Sequence, residues 1–293
     1  MPHAMDERRV TAYLERIGAA RPEHADPDSL RRLQERHVLS VPFDMIAYYT
    51  GEPVRHAMDA VAKVVDERRG GSCVELNSAF GMLLRALGYQ VEIIWGNIYR
   101  RAVLDHRPGH MALRVRAPIA TTRQDDGVQA GASCPWLVDV AQGKHSRWPL
   151  RMDLRTPQAD PHGTYLLAAA ADGDIDVSVD GELLYRMEAR ARDEDYGEAV
   201  VWWLSTSPKS PFARRPICIQ PTENGKYSLI GNRFISEENG ERVVKEIASD
   251  AELLEIYKRC FGLELVAPPT RSVGHLLDDV ARSPDTAEPG LTW

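Results

Sequence analysis

The sequence predicts an α+β protein in three successive parts: a helical part over residues 1–90, a strand-rich part over 91–215 and a mixed part over 216–293. Three observations predict it. Leu76, Ala79, Phe80, Leu83, Leu84 and Leu87 recur at helical spacing in the first part. Period-two alternation takes over at residues 90–99 and 110–116. After residue 215, strand-like runs at 216–220 and 226–230 precede a helix that Ser249 and Glu252 cap, with Leu253, Leu254, Tyr257 and Phe261 on one face.

Helices are expected at 6–17, 28–37, 57–68 and 73–87, joined by turns containing Pro and Gly, with Gly88 ending the last. In the second part, residues 90–99 put Val91, Ile93 and Trp95 on one face. Residues 110–116 and 136–140 read as two strands, and 117–135 between them as a polar loop. Asp180-Gly181 signals a hairpin turn, and 200–204 is a further apolar run read with the strands. The tail from 267 is rich in Pro, Ser and Asp and is expected to be loosely held. No internal repeat is present.

A chain of 293 residues can bury a large core. Its 36 basic and 43 acidic residues leave a formal charge of −7, which argues against a general nucleic-acid or membrane-surface binder. No apolar run is long enough to span a bilayer, and the first residues lack the apolar core of a signal peptide. The four cysteines, at 73, 134, 218 and 260, form no C-x-x-C pair, so neither a disulfide framework nor a metal site is expected. A cytoplasmic location is the expectation, and a reducing compartment suits a working thiol.

Cys73 is the leading candidate for chemistry. Arg69-Gly70-Gly71-Ser72 runs as a glycine turn into the helix, and Ser72 with Glu75 forms an S-x-x-E capping box. Cys73 then sits in the first helical turn, where the positive end of the helix dipole favours the thiolate. His110 opens one predicted strand and Asp139 lies in the next. If the two pair as a hairpin, His110 and Asp139 become cross-strand neighbours. The carboxylate can orient the imidazole, and the imidazole can activate the thiol. Cys134, Cys218 and Cys260 read as inert small apolar residues. Trp95, Trp202 and Trp203 read as core rather than as platforms for an aromatic substrate. Arg214-Arg215 reads as a solvated basic pair, with contact to coenzyme A phosphates as the alternative.

These residues resemble the arylamine N-acetyltransferase family, which includes amide synthase relatives. The family stretch R-G-G-x-C-x-E-x-N matches Arg69, Gly70, Gly71, Cys73, Glu75 and Asn77. Gly109-His110-Met111 and the Leu-Val-Asp-Val segment at 137–140 resemble two further elements, and Val41-Pro42-Phe43-Asp44 a third. Ser205-Thr206-Ser207-Pro208 and Phe212 resemble the serine/threonine-proline stretch on the cofactor side. The resemblance spans about 5–265. It implies a helical bundle carrying the cysteine, a central antiparallel β-barrel carrying His and Asp, and a C-terminal α/β lid. It implies the triad Cys73, His110 and Asp139, with Gln142, Gly143, Thr206 and Ser207 towards the cofactor. Nothing is held as a resident cofactor; acetyl-coenzyme A is the co-substrate, and an aromatic amine or hydrazine accepts the acetyl group. Glu75 and Asn77 are assigned to capping and local support, and Arg69 to anchoring.

Three departures separate the chain from the family pattern. Ala141-Gln142-Gly143 replaces the usual Gly-Phe-Gly, so Gln142 offers hydrogen bonds where the family has an aromatic face. The span between His110 and Asp139 is longer than usual. His106-Arg107-Pro108 precedes the histidine in place of small polar residues. These keep open an amide synthase that draws on a carrier-protein thioester. A cysteine hydrolase and a non-catalytic binding homologue are the remaining alternatives.

Overall fold

The computed structural model describes residues 5–271 apart from 119–132, 142, 145, 194, 208, 209, 211 and 213. The helical part holds α1 (Glu7–Ile17), α2 (Pro27–Ser40), a two-residue strand β1 (Phe43–Asp44), a short helix α3 (Ile46–Thr50), α4 (Ala57–Val65) and α5 (Cys73–Ala86). Local chemistry sets the ends. Asp6 and Asp26 cap α1 and α2 by accepting from the backbone N–H of Arg9 and Ser29, and Pro27 takes a position where no N–H is needed. Tyr13, Ile17, Leu30, Leu33, Val61, Val64, Phe80 and Leu83 pack the interior between these helices. Only α3 and β1 were absent from the sequence reading.

The central sheet has eight antiparallel strands in the order β5-β4-β3-β2-β9-β8-β7-β6. They are β2 (Gln90–Arg100), β3 (Val103–Pro118), β4 (Ser133–Val138), β5 (Leu150–Arg151), β6 (Gln158–Asp160), β7 (Gly163–Ala169), β8 (Ile175–Val179) and β9 (Glu182–Arg192). The outermost strands nearly close it into a barrel. The Gln158 side chain accepts from Arg151 N (2.8 Å) and donates to Arg151 O (3.0 Å), so one amide bridges the two edges. Ile94, Ala112, Tyr165, Leu167, Val177 and Met187 fill the interior. The Asp180-Gly181 turn joins β8 to β9 as expected, with both residues at positive φ.

Three readings of this part change. β3 starts at Val103, so His110 lies within a long strand rather than opening one. Pairing with β4 extends to Pro118 and Ser133, so the ends of the expected loop are strand. The apolar run at 200–204 belongs to a helix, α6 (Asp195–Thr206), and not to a strand. A run of five apolar residues carries no period that separates the two states. On that helix Trp202 is 68% exposed, contrary to the core reading, whereas Trp95 is fully buried.

The last part is an antiparallel sheet, β10 (Ile217–Pro221), β11 (Gly225–Ile230), β12 (Arg233–Glu238) and β13 (Glu241–Glu246), followed by α7 (Asp250–Phe261). Its first neighbour is β1, which pairs Phe43 with Ile219 and Asp44 with Cys218. One sheet therefore ties the last part to the helical part. Ser249 caps α7 as expected. The tail beyond 271 and the segment between β3 and β4 lie outside the described residues. Among the described residues no helix is long and apolar enough to cross a membrane, and no group of His, Cys, Asp or Glu is arranged to hold a metal ion.

Candidate active site

Two local devices hold the cysteine. The first is the expected capping box: Ser72 N donates to Glu75 Oε2 (3.0 Å) and Glu75 N to Ser72 Oγ (3.5 Å). The second is a clasp on the glycine turn. Asp44 N donates to Gly71 O (2.9 Å) and Gly71 N to Pro42 O (3.4 Å). A Cβ on Gly70 would lie 2.2 Å from Pro42 O, so only glycine allows that approach. The 41–44 element thus fastens the turn that presents Cys73. Behind it Lys63 Nζ donates to Glu75 Oε1 (2.7 Å), and both side chains are almost wholly buried. Burial raises Asp44 above the ordinary carboxylate value, against the charges of Lys63 and Arg69. Arg69 lies 3.6 Å from Glu52.

The barrel brings the other two members to the same place. His110 Nε2 and Asp139 Oδ2 are 2.7 Å apart, both buried. The hairpin forms, but its register pairs Leu113 with Val138, so Asp139 falls beyond the last paired residue and reaches His110 diagonally rather than from directly opposite. Nε2 is committed to the carboxylate, and the Cys73 thiol acts on the same ring, favouring its charged form. Burial, the largest single influence, pulls the imidazole towards the neutral form, but Asp139 and Cys73 together overcome it and raise the ring to about 10. The direction favours a ring that keeps its proton beside the sulfur.

Two side chains complete the support. Asn77 lies one turn after Cys73 on the same helix face. Its Nδ2 donates to Asp139 Oδ1 (3.1 Å) and Met111 O (2.8 Å), and its Oδ1 accepts from Val140 N (3.1 Å). It bolts the cysteine helix to both triad strands, more than the local support expected of it. Tyr185 on β9 donates to Asp139 Oδ2 (3.2 Å), with its ring 4.7 Å from that of His110. Ala141 N adds a bond to Oδ1 (3.1 Å). Nothing in the sequence singles out Tyr185, because its place depends on β9 pairing with β2.

The β2–β3 ladder is irregular at this point. Gly96 pairs with His110 and Asn97 with Pro108, so Gly109 is an extra residue that re-aims the strand beside the imidazole. Gly96 has no room for a side chain: a Cβ would lie 2.5 Å from Arg186 O and 2.7 Å from Met187 Sδ. Gly96→Ala should cost about 1–3 kcal/mol of stability and slow the enzyme by displacing His110. Urea unfolding and turnover of the purified variant check this, and wild-type values for both would mean that the strands relax freely there.

The remaining expected residues sit as follows. Gly143 is buried and lines a cleft of about 440 Å³ between the barrel residues Tyr165 and Glu182 and the β10–β11 turn. Thr206 and Ser207 are at the end of α6, where Thr206 Oγ1 donates to Trp202 O (2.7 Å) and Ser207 N to Trp203 O (3.0 Å). Phe212 is buried, its ring 6.2 Å from that of Tyr48. Gln142 and Pro208 lie outside the described residues. The other cysteines carry no such partners. Burial pushes Cys134 up to about 11 and raises Cys218 and Cys260.

A helix-borne thiol, a buried imidazole and a carboxylate supplied by an antiparallel barrel define the class of cysteine-nucleophile acyl-transfer proteins. A family model described as N-acetyltransferase matches residues 26–269. The chain belongs to this N-acetyltransferase family and is an acyltransferase. The arylamine N-acetyltransferase of Mycolicibacterium smegmatis is 30% identical over 271 residues, covering 89% of this chain and 93% of that protein. Its solved structure superposes with a TM-score of 0.78 over the same shares of the two chains. Arylamine N-acetyltransferase 1 of Homo sapiens is 22% identical over 87% of this chain and 94% of its own length. The Mycobacterium marinum arylamine N-acetyltransferase, solved in complex with CoA, is 26% identical, with a TM-score of 0.76 over 87% of this chain and 93% of that one. The α+β fold class expected from the sequence is that of these structures.

Proposed function

We propose that the chain transfers an acetyl group from acetyl-coenzyme A to an aromatic amine through a thioester on Cys73. The observation that carries this reading is the buried His110–Asp139 pair, whose imidazole feels Cys73 at the start of α5. In the first half-reaction Cys73 Sγ attacks the thioester carbonyl. The bond from carbonyl carbon to the coenzyme A sulfur breaks, and the departing thiolate takes the proton held by His110. In the second, the amine nitrogen attacks the acyl-cysteine, His110 accepts its proton, and the C–S bond breaks to return the thiolate. One nucleophile serves both halves, so the kinetics are ping-pong.

Asp139 keeps the ring in one orientation and stabilises its charge, while Tyr185 and Asn77 act through Asp139 rather than on substrate. The separation of the acyl donor and acceptor half-reactions needs no second binding site for the two substrates at once. The names of the relatives favour simple arylamine acetylation over an amide synthase that draws on a carrier protein. A cytoplasmic setting suits a thiol that must stay reduced.

Intact-protein mass spectrometry after mixing with acetyl-coenzyme A tests the reading. One acetyl mass should appear, map to Cys73 and vanish when an arylamine is added. Iodoacetamide at neutral pH should likewise alkylate Cys73 well ahead of Cys134, Cys218 and Cys260, whose thiols burial holds protonated. An unmodified Cys73 in both experiments would remove the enzyme reading.

A further inference from the structure

Most of the buried tyrosines place the phenol on a partner. Tyr13 meets His37 Nε2 (3.0 Å), Tyr89 donates to Asp26 O (2.9 Å), Tyr165 to Lys144 O (2.8 Å) and Tyr185 to Asp139 Oδ2 (3.2 Å). Among the described residues, Tyr48 and Tyr257 are the buried tyrosines whose hydroxyls meet none. Tyr257 belongs to the apolar cluster under the last sheet, whereas Tyr48 belongs to the one that contains Cys73. A buried hydroxyl without a partner costs stability. One kept in the packing around a nucleophile points to a use beyond packing.

The backbone fixes where Tyr48 stands. β1 fastens the turn just before Cys73, with Phe43 bridged to Gly71 and Asp44 N donating to Gly71 O (2.9 Å). The chain then bends at once, as Ile46 N donates to Asp44 Oδ1 (3.0 Å), and α3 begins. Tyr48 therefore rides on the first turn after the strand that holds the nucleophile's own turn. Its ring is 6.2 Å from that of Phe212. Its polar neighbour is Ser72, the residue before Cys73, but Ser72 Oγ already donates to Glu75 Oε2 (3.2 Å) and accepts from Glu75 N (3.5 Å). Burial, with the charges of Cys73 and Glu75, holds the phenol well above its ordinary value, so it keeps its proton and remains a donor. It makes no bond to the sulfur itself. An acyl group on that sulfur carries its carbonyl oxygen two bonds further out, where a donor too distant for the sulfur comes within reach.

We propose that the Tyr48 hydroxyl donates a hydrogen bond to the acyl oxygen on Cys73 and stabilises the charge that this oxygen develops in both half-reactions. The inference rests on the acyl-transfer reading above and deepens it. The carbonyl electron pair moves onto oxygen as the sulfur or the amine attacks, and it returns as coenzyme A or the sulfur departs. Tyr48 keeps its proton throughout, and the protons transferred pass through His110.

Infrared spectroscopy of the acyl-enzyme tests this. Wild type and Tyr48→Phe are acetylated to completion by acetyl-coenzyme A with an isotope-labelled carbonyl carbon, and the labelled band is found by difference from the unlabelled one. A hydrogen bond to the oxygen weakens the carbonyl bond, so the band of the variant should lie at higher wavenumber than that of the wild type. Its rate of acetylation should fall about a hundredfold. Alkylation of Cys73 by iodoacetamide, which develops no charge on a carbonyl oxygen, should be unchanged. The urea midpoint should match or exceed that of the wild type, because an unsatisfied hydroxyl has been removed. Coincident carbonyl bands, or alkylation that falls as far as acetylation, overturn the proposal and leave Tyr48 a packing residue. A wild type that takes up no acetyl group removes the acyl-transfer reading as well, whereas an acetylated wild type with coincident bands removes this proposal alone.

Discussion

Asp139→Asn should lower the rate of Cys73 acylation by about four orders of magnitude. The geometry around the carboxylate explains why so small a change should cost so much. Oδ1 accepts from Asn77 Nδ2 and Ala141 N, and those two donors would fix the carbonyl oxygen of an asparagine on their side. The amide nitrogen would then face His110 Nε2 and donate to it. The ring would be forced to hold its proton on Nδ1, towards the sulfur, in a neutral tautomer that cannot take the thiol proton. His110→Ala removes the base altogether and should cost as much or more. Stopped-flow acylation with a chromogenic acetyl ester checks both, and wild-type acylation by the asparagine variant would show that a different group orients the imidazole.

The same substitution carries a pH signature. His110 is raised to about 10 because Asp139, the larger contributor, and Cys73 together overcome the burial that opposes its charge. Without the carboxylate, burial is opposed by Cys73 alone, and the ring should titrate well below its wild-type value. NMR of the ring should find it protonated through neutral pH in the wild type and neutral in the variant. The sign for stability follows from the raised value. The pair's contribution is complete below about 6.5 and is lost as pH rises through about 10.

Lys63→Met should be the most destabilising of the conservative changes, by about 3–5 kcal/mol. It leaves Glu75 as an unpaired charge in a place with almost no exposure to water. Glu75 cannot turn outward, because its second oxygen accepts from Ser72 N and Ser72 Oγ as the lower half of the capping box. The damage should therefore reach the nucleophile: the turn that presents Cys73 loosens as the helix start frays. Lys63→Met combined with Glu75→Gln should recover much of the loss, since no buried charge remains. Urea denaturation of the single and double variants reads the difference. A single variant within about 0.5 kcal/mol of wild type would mean that water reaches Glu75.

The sequence reading and the structure agree where information is local. α5 was legible because its signals are all within a few residues: a glycine turn, a cap, a partner for the cap and a helical apolar period. The triad was legible because its strands alternate and their order along the chain is simple. α6 was not, because Val200, Val201, Trp202, Trp203 and Leu204 are apolar on every side, and only packing against Trp95 and α3 selects a helix. Asn77 showed itself by spacing, one turn from Cys73, but not by its partners, which come from 34 and 62 residues away.

By itself the sequence singled out Cys73, His110 and Asp139 as candidates for nucleophile, base and orienting acid, together with the order of helices, strands and mixed elements. These depend on backbone chemistry and periodicity, which neighbouring residues carry. Tertiary structure alone decided what surrounds them. Tyr185 reaches Asp139 because β9 pairs with β2; β1 joins the last sheet because Phe43 meets Ile219; Arg100 and Arg107 meet at Asp105 because the β2–β3 hairpin turns between them. Each of these contacts joins segments far apart along the chain, and closing such loops is settled by the packing of the whole core rather than by any local preference.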